Sequence, residues 1–222
     1  MTSPIEIDNR IRTLDVAALP VLPGTPASTA EAKAHRRHLR RVERRRFERM
    51  TQHGQAVAHL DPLPGPDESL HGVISGSYSG WSIATAIVDL LAVPVYELVI
   101  STLGFNRQNL DSLVTMLDAG TVRSVLLNVS NYFRHSDREI FADCRRTLES
   151  RGHRVAVTRS HAKLLLLRAG ERHIVVETSA NLRSSKNWEQ FVISDDAELF
   201  DFHRQWILDL IDSTEDATND DT

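Results

Sequence analysis

His161 and Lys163 stand two residues apart at the mouth of the chain's most apolar stretch, Ala162–Arg168, and polar residues return together at Thr178, Ser179, Asn181 and Glu189. Strand side chains alternate, so His161 and Lys163 share a face. Leu164–Leu167 runs without alternation, as a strand buried on both faces does, and an ionisable pair at its mouth needs partners. Ala169-Gly170-Glu171 joins this run to a second one, Arg172–Thr178, and so short a link makes an antiparallel hairpin. The hairpin carries the Ser179 hydroxyl and the Asn181 amide towards the His-Lys pair. An imidazole, an ammonium group and neutral donors in one place suit a phosphate: one group to attack phosphorus and others to hold the nonbridging oxygens.

His161-Ala-Lys163, followed by Thr178-Ser179-Ala-Asn181 and Trp188-Glu189-Gln190, resembles the single HxK…GSxN…E signature of the phospholipase D superfamily. The wording SANLRSS…EQF is similar to small bacterial and phage members that carry one motif per chain. The resemblance spans about residues 70–211 and leaves residues 1–67 outside it. It implies a metal-independent phosphodiesterase with no cofactor, in which His161 forms a phosphohistidine, a second motif histidine is the general acid, and Lys163, Ser179 and Asn181 hold the phosphate. Glu189 would fix the imidazole by hydrogen bonding. With one motif per chain, two chains related by a twofold axis would pool their motifs, which implies a homodimer sharing one active site. Two positions depart from the family pattern. With four residues between it and Lys163, the family's acidic residue is Arg168 here, and its glycine before the serine is Thr178. These departures support the alternative of a catalytically weakened DNA-binding or assembly protein. A lipid phosphodiesterase is the enzymatic alternative.

The elements that must position these residues follow from the apolar pattern. A short strand at Val73–Ser75, a helix at Trp81–Ala92, a strand at Glu97–Thr102, a helix at Arg107–Ala119, a strand at Val122–Val129, a helix at Asp137–Arg151 and a strand at Arg154–Thr158 are expected. This order implies a mixed α/β domain with a largely parallel sheet flanked by helices. After the hairpin, a strand near Gln190–Ser194 and a helix near Glu198–Leu210 close it. Loops after strands gather ligands in open α/β sheets, which makes Asn106, Arg107, Tyr132 and Phe133 candidate substrate contacts, the aromatic rings for stacking on a base. Ser75-Gly-Ser-Tyr-Ser-Gly80 lacks the GK[ST] ending of a phosphate loop and reads as a turn.

At 222 residues, and with about 150 residues per domain as a prior, the chain holds one full domain with appendages. The divisions expected are a flexible arm over 1–28, a basic helix over 29–60, the main domain over 68–211 and an acidic disordered tail over 212–222. Pro20, Pro23 and Pro26 break the arm. Residues 31–49 hold nine Lys or Arg against three Glu, whereas residues 195–222 hold ten Asp or Glu against Arg204 alone, so a net charge of -4 hides opposite ends. The arginine face of the basic helix suits phosphate and favours nucleic acid as the partner; its stripe of Leu39, Val42 and Phe47 suits packing. No apolar stretch approaches the roughly 18 residues that span a bilayer, so no stable membrane association and a cytoplasmic location are expected. His35 and His38 lie one turn apart on the basic helix without a carboxylate to complete a metal site, and Cys144 is alone, so no metal is expected.

Overall fold

The computed structural model describes residues 52–66, 68–76, 78–183 and 187–219, with side chains described as far as Ser213. The expected arm, most of the basic helix with His35 and His38, and residues 220–222 lie outside the described residues. The described residues belong to one compact unit.

Seven strands make one sheet: β1 (Ser69–Ile74), β2 (Glu97–Thr102), β3 (Val125–Ser130), β4 (Arg154–Thr158), β5 (Leu164–Ala169), β6 (Arg172–Thr178) and β7 (Glu189–Asp195). The helices among them are α1 (residues 52–60), α2 (Gly80–Leu91), α3 (Arg107–Asp118), α4 (Asn131–Ser136), α5 (Arg138–Glu149) and α6 (Ala197–Asn219). The strands lie in the order β1-β7-β6-β5-β2-β3-β4. The fold is mixed α/β, but only β2 with β3 and β3 with β4 are parallel; the other four pairings are antiparallel, so the sheet is less parallel than the element order implies. The reason is that β5 enters beside β2 as the first arm of a hairpin. Its tight turn at Gly170 (φ 58°) reverses the chain, and β7 and β1 then add antiparallel.

Leu164–Leu167 behaves as its pattern requires. Leu165 and Leu167 pack with α2 residues such as Ile83 and Ile87, while Leu164 and Leu166 pack under Phe200, Ile207 and Ile211 of α6. Leu165, Leu166 and Leu167 are at most 1% exposed, and each fully buried side chain contributes about 1.5–3 kcal/mol of hydrophobic stabilisation. α1 buries Ala56 and Leu60 completely in the larger cluster, so the packing of the main domain begins before residue 68. At the other end α6 continues to Asn219, a helix where a disordered tail from residue 212 was expected; Arg154 of β4 donates to Asp212 at 2.7 Å and holds the helix to the sheet beyond Leu210. Among the described residues no helix is long and apolar enough to cross a membrane.

Candidate active site

The pairing directions place the ends of all seven strands that matter at one edge of the sheet. The carboxyl ends of β2, β3 and β4 lie beside the amino end of β5, because Ser101 pairs with Leu164 and Ser130 with Thr158. The carboxyl ends of β6 and β1 and the amino end of β7 follow, because Leu164 pairs with Glu177, Thr178 with Phe191 and Glu189 with Ile74. His161, Lys163, Ser179, Asn181 and Glu189 therefore share this edge, where ligands sit in open α/β sheets.

His161 is exposed, and its ring makes no hydrogen bond among the described residues. Lys163, half-buried, donates from Nζ to the carbonyl of His161 at 3.1 Å, and its backbone carbonyl accepts from Thr178 N at 3.2 Å. One donor of the ammonium is thus used and two remain. Glu189 is engaged differently from the expectation: its carboxylate accepts a short hydrogen bond from the Ser179 hydroxyl, and Ser179 Oγ accepts from Gln190 N at 3.0 Å. Glu189 fixes the serine in this arrangement, and the imidazole carries no carboxylate. Thr178 fits where the family has glycine, because its hydroxyl donates to Gln190 O at 2.8 Å and accepts from Ala180 N at 3.0 Å, closing a turn.

Asn181 rests on a loop that reads only as a turn. Gly80 N donates to Asn181 O at 3.3 Å and Trp81 N to Leu182 O at 3.2 Å, at the start of α2. A Cβ on Gly80 would stand 2.8 Å from Asn181 O, so the residue must be glycine for the start of α2 to approach the loop after β6. Ser79 caps α2 reciprocally with Ser82, which seats this loop against the motif. Burial pushes the neighbouring Tyr78 hydroxyl up to about 12, and its ring tilts against His59 of α1 at 5.7 Å. The Asn181 Oδ1 is buried without a partner among the described residues. Beyond Ser79 a groove of about 470 Å3 runs between α2 and α3, past Ser82, Asn106 and Asn109.

The other candidates have structural duties. Asn106 caps α3, accepting from Asn109 N at 3.0 Å. Arg107 forms a short ion pair with Asp143, which Arg146 also meets; this hydrogen bond raises the Arg107 pKa and lowers that of Asp143. Phe133 is 1% exposed and packs on Phe105 with centroids 4.6 Å apart, so it is a core residue and not a stacking surface. Of the two aromatic candidates only Tyr132 presents its ring, 65% exposed. Glu177 meets His203 at 3.3 Å on the α6 face of the sheet, away from the face shared by Lys163. Among the described residues no three His, Cys, Asp or Glu side chains cluster as metal ligands.

Arg168 is removed from this edge by the length of β5. Five residues along a strand from Lys163 is about 17 Å. It lies directly opposite Glu97, which takes Arg168 at 3.5 Å and Arg204 through both carboxylate oxygens at 3.0 Å. Arg168→Asp would match the family's residue, yet its carboxylate would face Glu97, and like charges directly opposite destabilise a sheet. The expected outcome is a loss of about 1 kcal/mol in urea unfolding, with the cleavage rate per folded molecule unchanged within about twofold. Cys144 also stays out of the chemistry: it is 1% exposed, and burial pushes its thiol up to about 12. In native protein at pH 8 it should resist a disulfide reagent for hours and react within seconds in guanidinium; rapid labelling of the folded protein would contradict this burial.

No protein-family model matches the sequence, and no curated protein matches it. Among solved structures the chain is similar to a phospholipase D family member, Nuc from Salmonella typhimurium, with a TM-score of 0.47 and 14% identity over 64% of this chain and 93% of that one. It is similar to NucT from Helicobacter pylori, with a TM-score of 0.47 and 11% identity over 66% and 98% of the two chains. Polyphosphate kinase from Porphyromonas gingivalis also has a TM-score of 0.47, at 16% identity over 71% of this chain but 29% of its own. At these identities the likeness concerns the fold alone.

Proposed function

We propose that the chain is a phosphodiesterase of the phospholipase D type that cleaves nucleic acid without a metal, through a phosphohistidine on His161, in a site shared by two chains. The observation that carries this reading is the gathering of His161, Lys163, Ser179, Asn181 and Glu189 on one sheet edge, with the imidazole exposed and the ammonium still holding two donors. An imidazole nitrogen of His161 attacks phosphorus, forming the P–N bond as the P–O bond to the leaving oxygen breaks. The partner subunit's His161 gives that oxygen its proton and then takes one from water, whose oxygen displaces the histidine and breaks the P–N bond. Lys163 and Asn181 neutralise and bind the nonbridging oxygens in both steps. Ser179 gives its one proton to Glu189, so it binds a nonbridging oxygen only by turning that proton from the carboxylate to the phosphate.

Nucleic acid is favoured over lipid by the basic stretch 31–49, whose charge suits a phosphate backbone. The test is incubation of full-length protein with labelled single- and double-stranded DNA and RNA in EDTA, beside phosphatidylcholine vesicles. Cleavage of a nucleic acid in EDTA supports the reading. Cleavage restored only by a divalent ion, or of the lipid alone, overturns it. Sedimentation of the active species as a monomer would overturn the shared site.

A further inference from the structure

The residue between His161 and Lys163 is gripped by a closed circuit of hydrogen bonds. Thr158 Oγ1 donates to Asn128 Oδ1 at 2.9 Å, and Asn128 Nδ2 donates to Ser101 Oγ at 3.2 Å. Ser101 Oγ donates to Ala162 O at 3.2 Å, Ala162 N donates to Ser160 Oγ at 3.1 Å, and Ser160 N returns to Thr158 Oγ1 at 3.2 Å. Each of the five members gives one hydrogen bond and takes one, all in the same sense. Turning the Asn128 amide over would present an acceptor to Ser101 and take its proton away from the Ala162 carbonyl. The orientation is therefore set by the circuit, and chains of this kind strengthen each member.

Three members, Ser101, Asn128 and Thr158, come from strands and are out of water, while Ser160 and Ala162 lie half-buried in the loop before β5. Asn128 is 0% exposed, Ser101 and Thr158 2% each. A buried amide inside Val-Leu-Leu-Asn-Val-Ser of β3 costs stability unless fully satisfied, so its presence there asks for a use. Alternation supplies one. Ala162 shares parity with Leu164 and Leu166 and packs with the α6-facing cluster, as do Val99, Leu126 and Ala156, whose parities Ser101, Asn128 and Thr158 share. His161 and Lys163 have the opposite parity. The circuit seizes both backbone groups of Ala162 from one face while the two side chains that do the chemistry turn to the other.

We infer that Asn128 is a positioning residue: through Ser101, Thr158 and Ser160 it holds the Ala162 peptide so that His161 and Lys163 address one phosphate together. The reactivity part of this inference rests on the phosphodiesterase reading; the grip on Ala162 does not. Thr158→Val in the full chain removes the donor to Asn128 and the acceptor for Ser160 while keeping shape, and Thr158→Ser keeps both. Two readouts are taken: exchange of the Ala162 amide proton by NMR, and kcat and KM with bis(4-nitrophenyl) phosphate. In Thr158→Val the Ala162 amide should exchange at least about tenfold faster while β6 amides keep their protection. Its kcat should fall by about 10²-fold, the scale of an ångström's misplacement, with KM little changed. Thr158→Ser should restore both. Unchanged exchange at Ala162, or faster exchange throughout the sheet, overturns the inference, as does faster Ala162 exchange with full kcat. If wild-type protein cleaves no diester, the phosphodiesterase reading falls and the exchange arm still decides the grip. Should Thr158→Val not fold, Ser101→Ala, which removes the single bond to Ala162 O, is read in the same way.

Discussion

His161→Ala is expected to abolish phosphodiester cleavage, lowering the rate by at least about 10³-fold, the scale on which removal of a nucleophile acts. The thermal midpoint should stay within about 2 °C of wild type, because the exposed ring makes no hydrogen bond that the fold would lose. Lys163→Ala is expected to cost about 10²–10³-fold, as loss of a charge-stabilising donor does, and also frees the His161 carbonyl that Nζ holds at 3.1 Å. The measurement is initial rate on the preferred diester in EDTA, beside a melting curve. Trapping of a phosphoryl group on His161 by a quench that avoids acid, followed by mass spectrometry, would identify the attacking atom. An adduct on another residue, or a His161→Ala chain that still turns over at the wild-type rate, removes the assignment.

Gly72→Val is expected to destabilise the fold severely. Gly72 pairs with Phe191 across β1 and β7, and the Phe191 ring, 4% exposed, folds over the glycine so closely that a Cβ would stand 2.2 Å from its Cζ. The ring has to leave its place, at the upper end of an overpacking cost of about 1–3 kcal/mol. At about 3 °C per kcal/mol for a chain of this size, the melting temperature should fall by roughly 9 °C. Glu189 stands two residues before Phe191 on the same face of β7, so the rate should fall as well. Phe191→Leu in the Gly72→Val background should recover part of the stability, since it vacates the space the valine needs. A Gly72→Val protein that melts with wild type would show that the ring has another place to go.

The chemistry-bearing residues stand out in the sequence because their spacing is local. His161 and Lys163 are fixed on one face by alternation alone, and the three-residue link to β6 fixes what lies opposite. Strands such as Glu97–Thr102 and Arg154–Thr158 are found to the residue because β-branched runs are bounded by prolines, turns or helix caps. What local pattern does not encode is which distant strands pair: β1 meets β7 through a register set by Gly72 and Phe191, and no short-range rule announces it. The same limit hides the duties of Arg107 and Phe133, whose partners Asp143 and Phe105 come from other elements. Residues 131–136, read as a loop, form a short helix that Ser130 caps. The circuit around Asn128 left a trace that could be read: an amide within an apolar strand is a polar group that must be satisfied.

The sheet order has a consequence for how the site comes into being. Among the strands, β1 pairs only with β7, so the first strand of the sheet waits for the last, across more than a hundred residues of chain. Such pairing incurs loop-closure entropy before it returns any contact, and it delays folding more than it weakens the product. During synthesis at about 5–20 residues per second, β1 emerges roughly 6–24 s before its partner. Glu189, at the start of β7, takes its place opposite Ile74 only in that closing step. The hydrogen bonds around Ala162 draw on no residue beyond 162, so His161 and Lys163 can be aligned before the carboxylate that orders Ser179 arrives, while α6, which covers that face, is made later still.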